Sequence, residues 1–225
     1  MPKHALQQRW QVLDAPYQAN SGRGLAHGPH VVARYGQHPV CLVSSHGVDH
    51  FAGPELTDYK RADRFTGGLA MALAEALNLH FIGLMCRVAA NNPHRGACHA
   101  EKAVRLLAQR VPGLVVVDVH GARAGKGFDW ALGTAGSVLP GQQALIHQLT
   151  ASGQGAGLNV ALNPPGYQAK GARTLTHRLR SGGMEGVVQL ELARPCRDVA
   201  AAHPQMAQTL QALHAGLCGL AHSLR

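Results

Sequence analysis

Leu114-Val115-Val116-Val117-Asp118-Val119-His120-Gly121 is the stretch on which the fold reading rests. Its apolar run carries no polar alternation until Asp118, the pattern of a strand covered on both faces. It stops at a His-Gly pair. A second run of the same kind, Val40-Cys41-Leu42-Val43, sits within a strand over 39–45 and leads to Ser45-His46-Gly47. A strand over 31–34 precedes it, joined by the turn Gly36-Gln37-His38. Further strands are predicted over 81–86, 130–134, 158–162 and 186–193.

Helical periods fill the intervals. Leu69, Leu73 and Leu77 mark a helix over 66–79, with Thr66 as its N-cap. Val104, Leu107 and Val111 mark another from 99 to 110. Segments 142–150 and 174–181 also read as helical. Met206, Leu210, Leu213, Leu217, Leu220 and Leu224 form a stripe along 204–225. Asn91-Asn92-Pro93 breaks the chain, and 21–24 and 152–155 read as surface loops. Strands alternating with helices indicate an α/β fold with a largely parallel sheet, in one domain spanning 1–225.

The 225 residues are enough for one large core. With 46% hydrophobic and 15% charged residues the chain is globular, not disordered. The formal charge is +9, but no Lys/Arg run exceeds two residues. Scattered charge without interleaved aromatics makes nucleic-acid binding the weaker reading. Five widely spaced cysteines (Cys41, Cys86, Cys98, Cys196, Cys218) argue against a disulfide framework and for a reducing compartment. The polar first ten residues carry no signal-peptide core, and no apolar run reaches membrane-spanning length. A cytoplasmic protein without membrane association is the expectation.

In open α/β sheets ligands bind outside the carboxyl ends of strands. Two of the strongest strands here end at His46 and His120, and imidazole is the commonest metal ligand near neutral pH. The alternative is two ordinary hydrogen-bonded histidines among 15. Asp118 lies two residues before His120, hence on the same strand face. Its carboxylate is placed to accept the ring N–H of His120 or of a neighbouring histidine, or else to satisfy a nearby loop. A catalytic zinc site takes three protein ligands and keeps one open position. Asp49, His50, Glu55, Asp58 and Asp63 are the candidates for the third ligand, and spacing does not choose among them. Glu191 stands inside the apolar run Val187-Val188-Gln189-Leu190-Glu191-Leu192-Ala193. A glutamate there requires a partner, either a basic residue such as Arg194 or a catalytic task as general base.

Taken in order, PVCLVSSHGVDHF (39–51), KRADRFTGGLAMALAEAL (60–77), VVVDVHGARAGKGFDWALGT (115–134) and GVVQLELARP (186–195) resemble the N-formylglutamate amidohydrolase-like family. The likeness covers most of the chain from Val40 to Pro195. It implies a three-layer phosphorylase/hydrolase-like α/β fold with a mixed, mostly parallel sheet flanked by helices. It also implies metal-assisted amide hydrolysis, as in zinc carboxypeptidases and aspartoacylases. By position the resemblance assigns His46, Asp63 and His120 to a zinc-like ion, and Glu191 to the general base. It puts His50 and Arg178 near the substrate. The implied substrate is a small molecule, and the basic balance is compatible with one bearing a carboxylate, paired by Arg178 or Arg194. The chain departs from the family pattern at Ser45, where Pro is usual, and in using Asp at 63 where Glu is one methylene longer. It also lacks the family's Asp-Leu-Asn-Arg element. The competing reading is a non-catalytic binding module on the same fold.

Overall fold

The computed structural model describes residues 3–27, 30–51, 59–85, 99–201 and 203–224. Among them the first half of the chain forms α1 (Lys3–Gly22), β1 (Val31–Arg34), β2 (His38–Ser44), β3 (His50–Phe51), β4 (Tyr59–Lys60), α2 (Thr66–Leu77), β5 (Leu79–Leu84) and α3 (His99–Arg110). The second half forms β6 (Val115–Ala122), β7 (Trp130–Gly133), α4 (Pro140–Gly155), β8 (Val160–Leu162), α5 (Leu175–Ser181), β9 (Val187–Ala193), α6 (Arg194–Arg197) and α7 (Pro204–Ser223).

Seven strands make one sheet in the order β1-β5-β2-β6-β9-β7-β8. The central four, β5, β2, β6 and β9, are parallel. β1 and β7 run antiparallel to their neighbours β5 and β9, and β8 follows β7. The fold is therefore α/β, with a mixed, mostly parallel sheet and helices on both faces. β3 and β4 pair separately.

Alternation along the parallel strands divides the core. Leu42, Val117, Val119, Val188, Leu190 and Leu192 face one way and pack with leucines of α2, α4 and α7. Cys41, Val43, Val116 and Val187 face the other way, against Val104 and Leu107 of α3 and Leu175 and Leu179 of α5. The leucine stripe of α7 is thus consumed by core packing: Met206, Leu210, Leu213, Leu217 and Leu220 are all buried.

The structure differs from the sequence reading at several points. α1 has no counterpart in it. Leu6, Trp10 and Tyr17 are buried on one side of α1, but Pro16, a residue that ordinarily ends helices, stands inside it and obscures the period. Residues 152–155 are the last turn of α4, with Gly153 buried beneath Trp130, and not a surface loop. Thr66 is the first helical residue of α2; Phe65, at φ 70°, holds the cap position, and the Thr66 hydroxyl donates to Asp63 O at 2.6 Å. β6 continues through His120 to Ala122, so His120 is a strand residue and not the first residue beyond the strand. Asn91-Asn92-Pro93, Glu55, Asp58, Cys86 and Cys98 lie outside the described residues.

α1 brings one buried acid into the large core. Asp14 is 2% exposed, and its carboxylate accepts from the Gln18 side chain at 2.8 Å and from Gly68 N in the first turn of α2 at 3.2 Å. Burial outweighs these bonds and pushes its pKa up to about 6. Between roughly pH 4 and 6 the folded protein therefore binds more protons at this residue than the unfolded chain does. Stability falls as pH rises through that window, by on the order of 2 kcal/mol from this group. Asp14→Asn removes the ionisation, so its stability relative to wild type should rise from pH 4 to pH 6.5 in urea titrations. Parallel pH profiles for the two proteins would contradict this.

Candidate active site

The apolar face that β2, β6 and β9 present to α3 and α5 turns polar toward the carboxyl ends of the strands. Val116 and Val187 are register partners, as are Asp118 and Gln189, then His120 and Glu191. Each step of two residues keeps the same face, so one parallel pair carries the change from core to site. Ser45, just past β2, and Thr176 of α5 complete this layer. The Ser45 hydroxyl donates to Asp118 Oδ1 at 3.4 Å and the Thr176 hydroxyl to Asp118 Oδ2 at 3.2 Å.

His120 lies between two carboxylates. Its Nδ1 is 3.0 Å from Asp63 Oδ2, and its Nε2 is 3.0 Å from Asp118 Oδ2. The second contact is an ion pair off the hydrogen-bonding line. The His46 ring stands over the His120 ring, with centroids 4.7 Å apart. Burial disfavours a charged imidazole here, but Asp118, Asp63 and Glu191 outweigh it and raise the His120 pKa to about 10. Glu191 is 9% exposed, and its Oε1 accepts from Gln189 Nε2 at 2.9 Å.

Asp63 reaches His120 from the loop before α2. Its own N–H donates to His46 O at 2.8 Å, which fastens this loop to the end of β2. Asp49, the other aspartate weighed as a ligand, accepts from Ala62 N at 2.7 Å and so shapes the same loop.

Both His-Gly pairs have a packing reason. A Cβ on Gly47 would come within 2.9 Å of the Tyr17 ring, and one on Gly121 within 2.5 Å of the Arg197 guanidinium. Each glycine after a site histidine makes room for a buried side chain from a distant helix.

The structure thus brings His46, Asp63, His120, Asp118 and Glu191 together. Arg178 faces α3, where its Nε donates to Glu101 at 2.6 Å. Arg194 pairs with Asp198 at 3.1 Å, and its side chain is 70% exposed. The His50 side chain lies outside the described residues, although its backbone pairs with Lys60. Sequence reasoning missed Ser45, Thr176, Arg197 and Tyr167. The Tyr167 ring meets Phe128 edge-on at 4.9 Å, and burial together with Glu191 raises its hydroxyl pKa. None of these four carries a motif signal, because contacts made across the sheet set their places.

Among the described residues no three His, Cys, Asp or Glu side chains are already arranged around one point as metal ligands. His120 and Asp63 are turned toward each other instead. The donor chemistry nonetheless fits a zinc-like ion: two imidazoles and a carboxylate are a catalytic ligand set. Asp118 lies 3.0 Å from the far nitrogen of His120, the side on which metal-bound histidines commonly carry a carboxylate.

No family model matches the chain, and no curated protein matches it by sequence. Solved structures share its fold. N-formylglutamate amidohydrolase from Ralstonia eutropha JMP134 superposes with a TM-score of 0.55 at 14% identity, covering 87% of this chain and 98% of that one. Gene product Atu2144 from Agrobacterium tumefaciens gives 0.57 at 18% identity, covering 88% and 96%. A bacteriophage poly-gamma-glutamate hydrolase gives 0.50 at 14% identity, covering 89% and 94%. At these identities the likeness is one of fold.

Asp118 is fully buried and supplies one of the two anions that hold His120. Asp118→Ala should destabilise the protein by about 3 kcal/mol, the usual cost of removing one partner from a buried ion pair. Urea unfolding at pH 7 measures it; a loss below about 1 kcal/mol would show that His120 does not depend on this partner.

Proposed function

We propose that this protein is a metal-dependent hydrolase of amide bonds, with His46, Asp63 and His120 as ligands of a zinc-like ion and Glu191 as general base. The observation that carries the reading is the convergence of two imidazoles and two carboxylates at the carboxyl ends of β2, β6 and β9, with Asp118 behind His120. The fold likeness adds support. Two of the neighbouring structures are named as hydrolases of glutamate-derived substrates. We extend that class here, to a small amide substrate with a nearby carboxylate.

A bound zinc-like ion supplies a Lewis acid and a water made acidic enough to react near neutral pH. The side chains supply the rest. Asp118, whose carboxylate faces Nε2 at 3.0 Å, attracts the ring by charge and leaves Nδ1 as the nitrogen on the ligand side. Glu191, adjacent to His120 across the β6–β9 pair, accepts the proton of the attacking water and returns it to the departing amine. Gln189 donates to Glu191 Oε1 and so fixes the orientation of that carboxylate.

One observation favours a second reading. Both ring nitrogens of His120 already face carboxylates, and this arrangement also suits a metal-free binding module. Elemental analysis separates the two. Tag-free protein purified without chelators should carry about one zinc-like ion per chain, lost in a His46→Ala/His120→Ala double variant. Glu191→Gln should keep the ion while losing about 100-fold or more in turnover on a panel of N-acyl and N-formyl amino acids. A wild type that takes up no metal even when zinc is offered would favour the binding module. Full activity in Glu191→Gln would remove its role as base.

A further inference from the structure

Arg197 is 8% exposed and comes from α6, immediately after β9. Its guanidinium donates to three backbone carbonyls. Nε bonds to Leu192 O at 3.1 Å, Nη2 to Ala122 O at 3.2 Å, and Nη1 to Arg64 O. Each carbonyl belongs to a segment that carries a site residue. Leu192 follows Glu191 on β9, Ala122 lies two residues past His120 on β6, and Arg64 follows Asp63 in its loop.

The three carbonyls are met by three different nitrogens of one rigid plane, a spread that suits a guanidinium fork. A lysine ammonium is a single point on a flexible stem. Gly121 provides the path, since a Cβ there would collide with the guanidinium. Burial pulls the guanidinium's pKa down, and nearby Asp63 and Glu191 only partly offset it.

We propose that Arg197 is a positioning residue that fixes the loop bearing Asp63 against the strand pair bearing His120 and Glu191, and thereby sets the affinity of the site for its metal. Its metal arm rests on the hydrolase reading; its mechanical arm does not. Arg197 touches backbone and no reacting atom, so its effect passes through Asp63.

The test compares Arg197→Met, Arg197→Lys and Gly121→Ala with Arg180→Met. The last removes a guanidinium that likewise bonds backbone carbonyls, those of Thr134 and Ser137. The first readout is hydrogen exchange of the Asp63 amide, which bonds to His46 O, in metal-free protein and relative to amides of β6. The second is zinc affinity by competition with a chromophoric chelator.

Arg197→Met and Gly121→Ala should accelerate exchange at Asp63 at least about 10-fold beyond β6 and weaken zinc binding about 10- to 100-fold, as loss of outer contacts to metal ligands does. Arg197→Lys should not rescue either. Arg180→Met should change neither beyond its effect on global stability. Exchange at Asp63 that merely tracks β6 in both Arg197→Met and Gly121→Ala would overturn the proposal. Accelerated exchange with unchanged zinc affinity would overturn its link to the metal. If Arg197→Met does not fold, Gly121→Ala carries the comparison. If wild type binds no zinc, the hydrolase reading fails, and the exchange data alone decide whether Arg197 holds the loop.

Discussion

The largely buried His120 imidazole, held between Asp63 and Asp118, is the interaction on which the arrangement of the site depends. Burying carboxylates is costly unless every one of them is answered. Asp118 has no exposed surface and is answered three times, by Ser45, Thr176 and His120. Those groups come from the end of β2, from α5 and from Asp118's own strand. The parallel register of β2 and β6 and the docking of α5 must therefore both be right before the charge is tolerable. One side of the His120 contact costs little conformational freedom, because Asp118 and His120 share a strand face. The other side has to be brought in from a loop.

That loop is held by many weak contacts with no regular element behind it. Asp63 N–H bonds to His46 O, Asp49 takes the amide of Ala62, and Thr66 bonds back to Asp63 O. Arg197 reaches it from the opposite end of the chain. Tyr17 and Arg197 play matching parts, each passing a glycine that follows a site histidine. The His-Gly pairs thus reflect packing as well as chemistry: the glycine leaves space for a neighbour, and the imidazole before it faces the site.

The parallel core was legible because it depends on local pattern. Runs of Val and Leu marked β6 and β9, and the acid inside β9 stood out because apolar strands rarely bury one. The adjacency of His120 and Glu191 was not legible, since strand order and register arise from pairing at long range. Asp63 could not be separated from Asp49 by spacing and came from family resemblance; in the structure it is Asp63 that meets His120, while Asp49 bonds to Ala62 N. The surroundings of Arg178 were equally hidden. An arginine two residues from Thr176 on α5 points to the other side of the helix, where Glu101 receives it. Arg197 had no signal at all, for its partners are carbonyls and a carbonyl leaves no mark in sequence.

The same contacts explain how two readings can share one geometry. A protonated His120 satisfies Asp63 by a hydrogen bond; in the proposed enzyme a cation held by both residues would take that place. In the proposed enzyme, exchanging that proton for a divalent ion adds positive charge to a space already lined by the carboxylates of Asp63, Asp118 and Glu191. Coulomb's law favours that direction in a poorly solvated site. The opposing cost is the loss of the 3.0 Å hydrogen bond between His120 and Asp63 and the turning of the Asp63 side chain. A loop fixed at its backbone by Arg197 confines that rearrangement to the side chain, so less order has to be gained on binding.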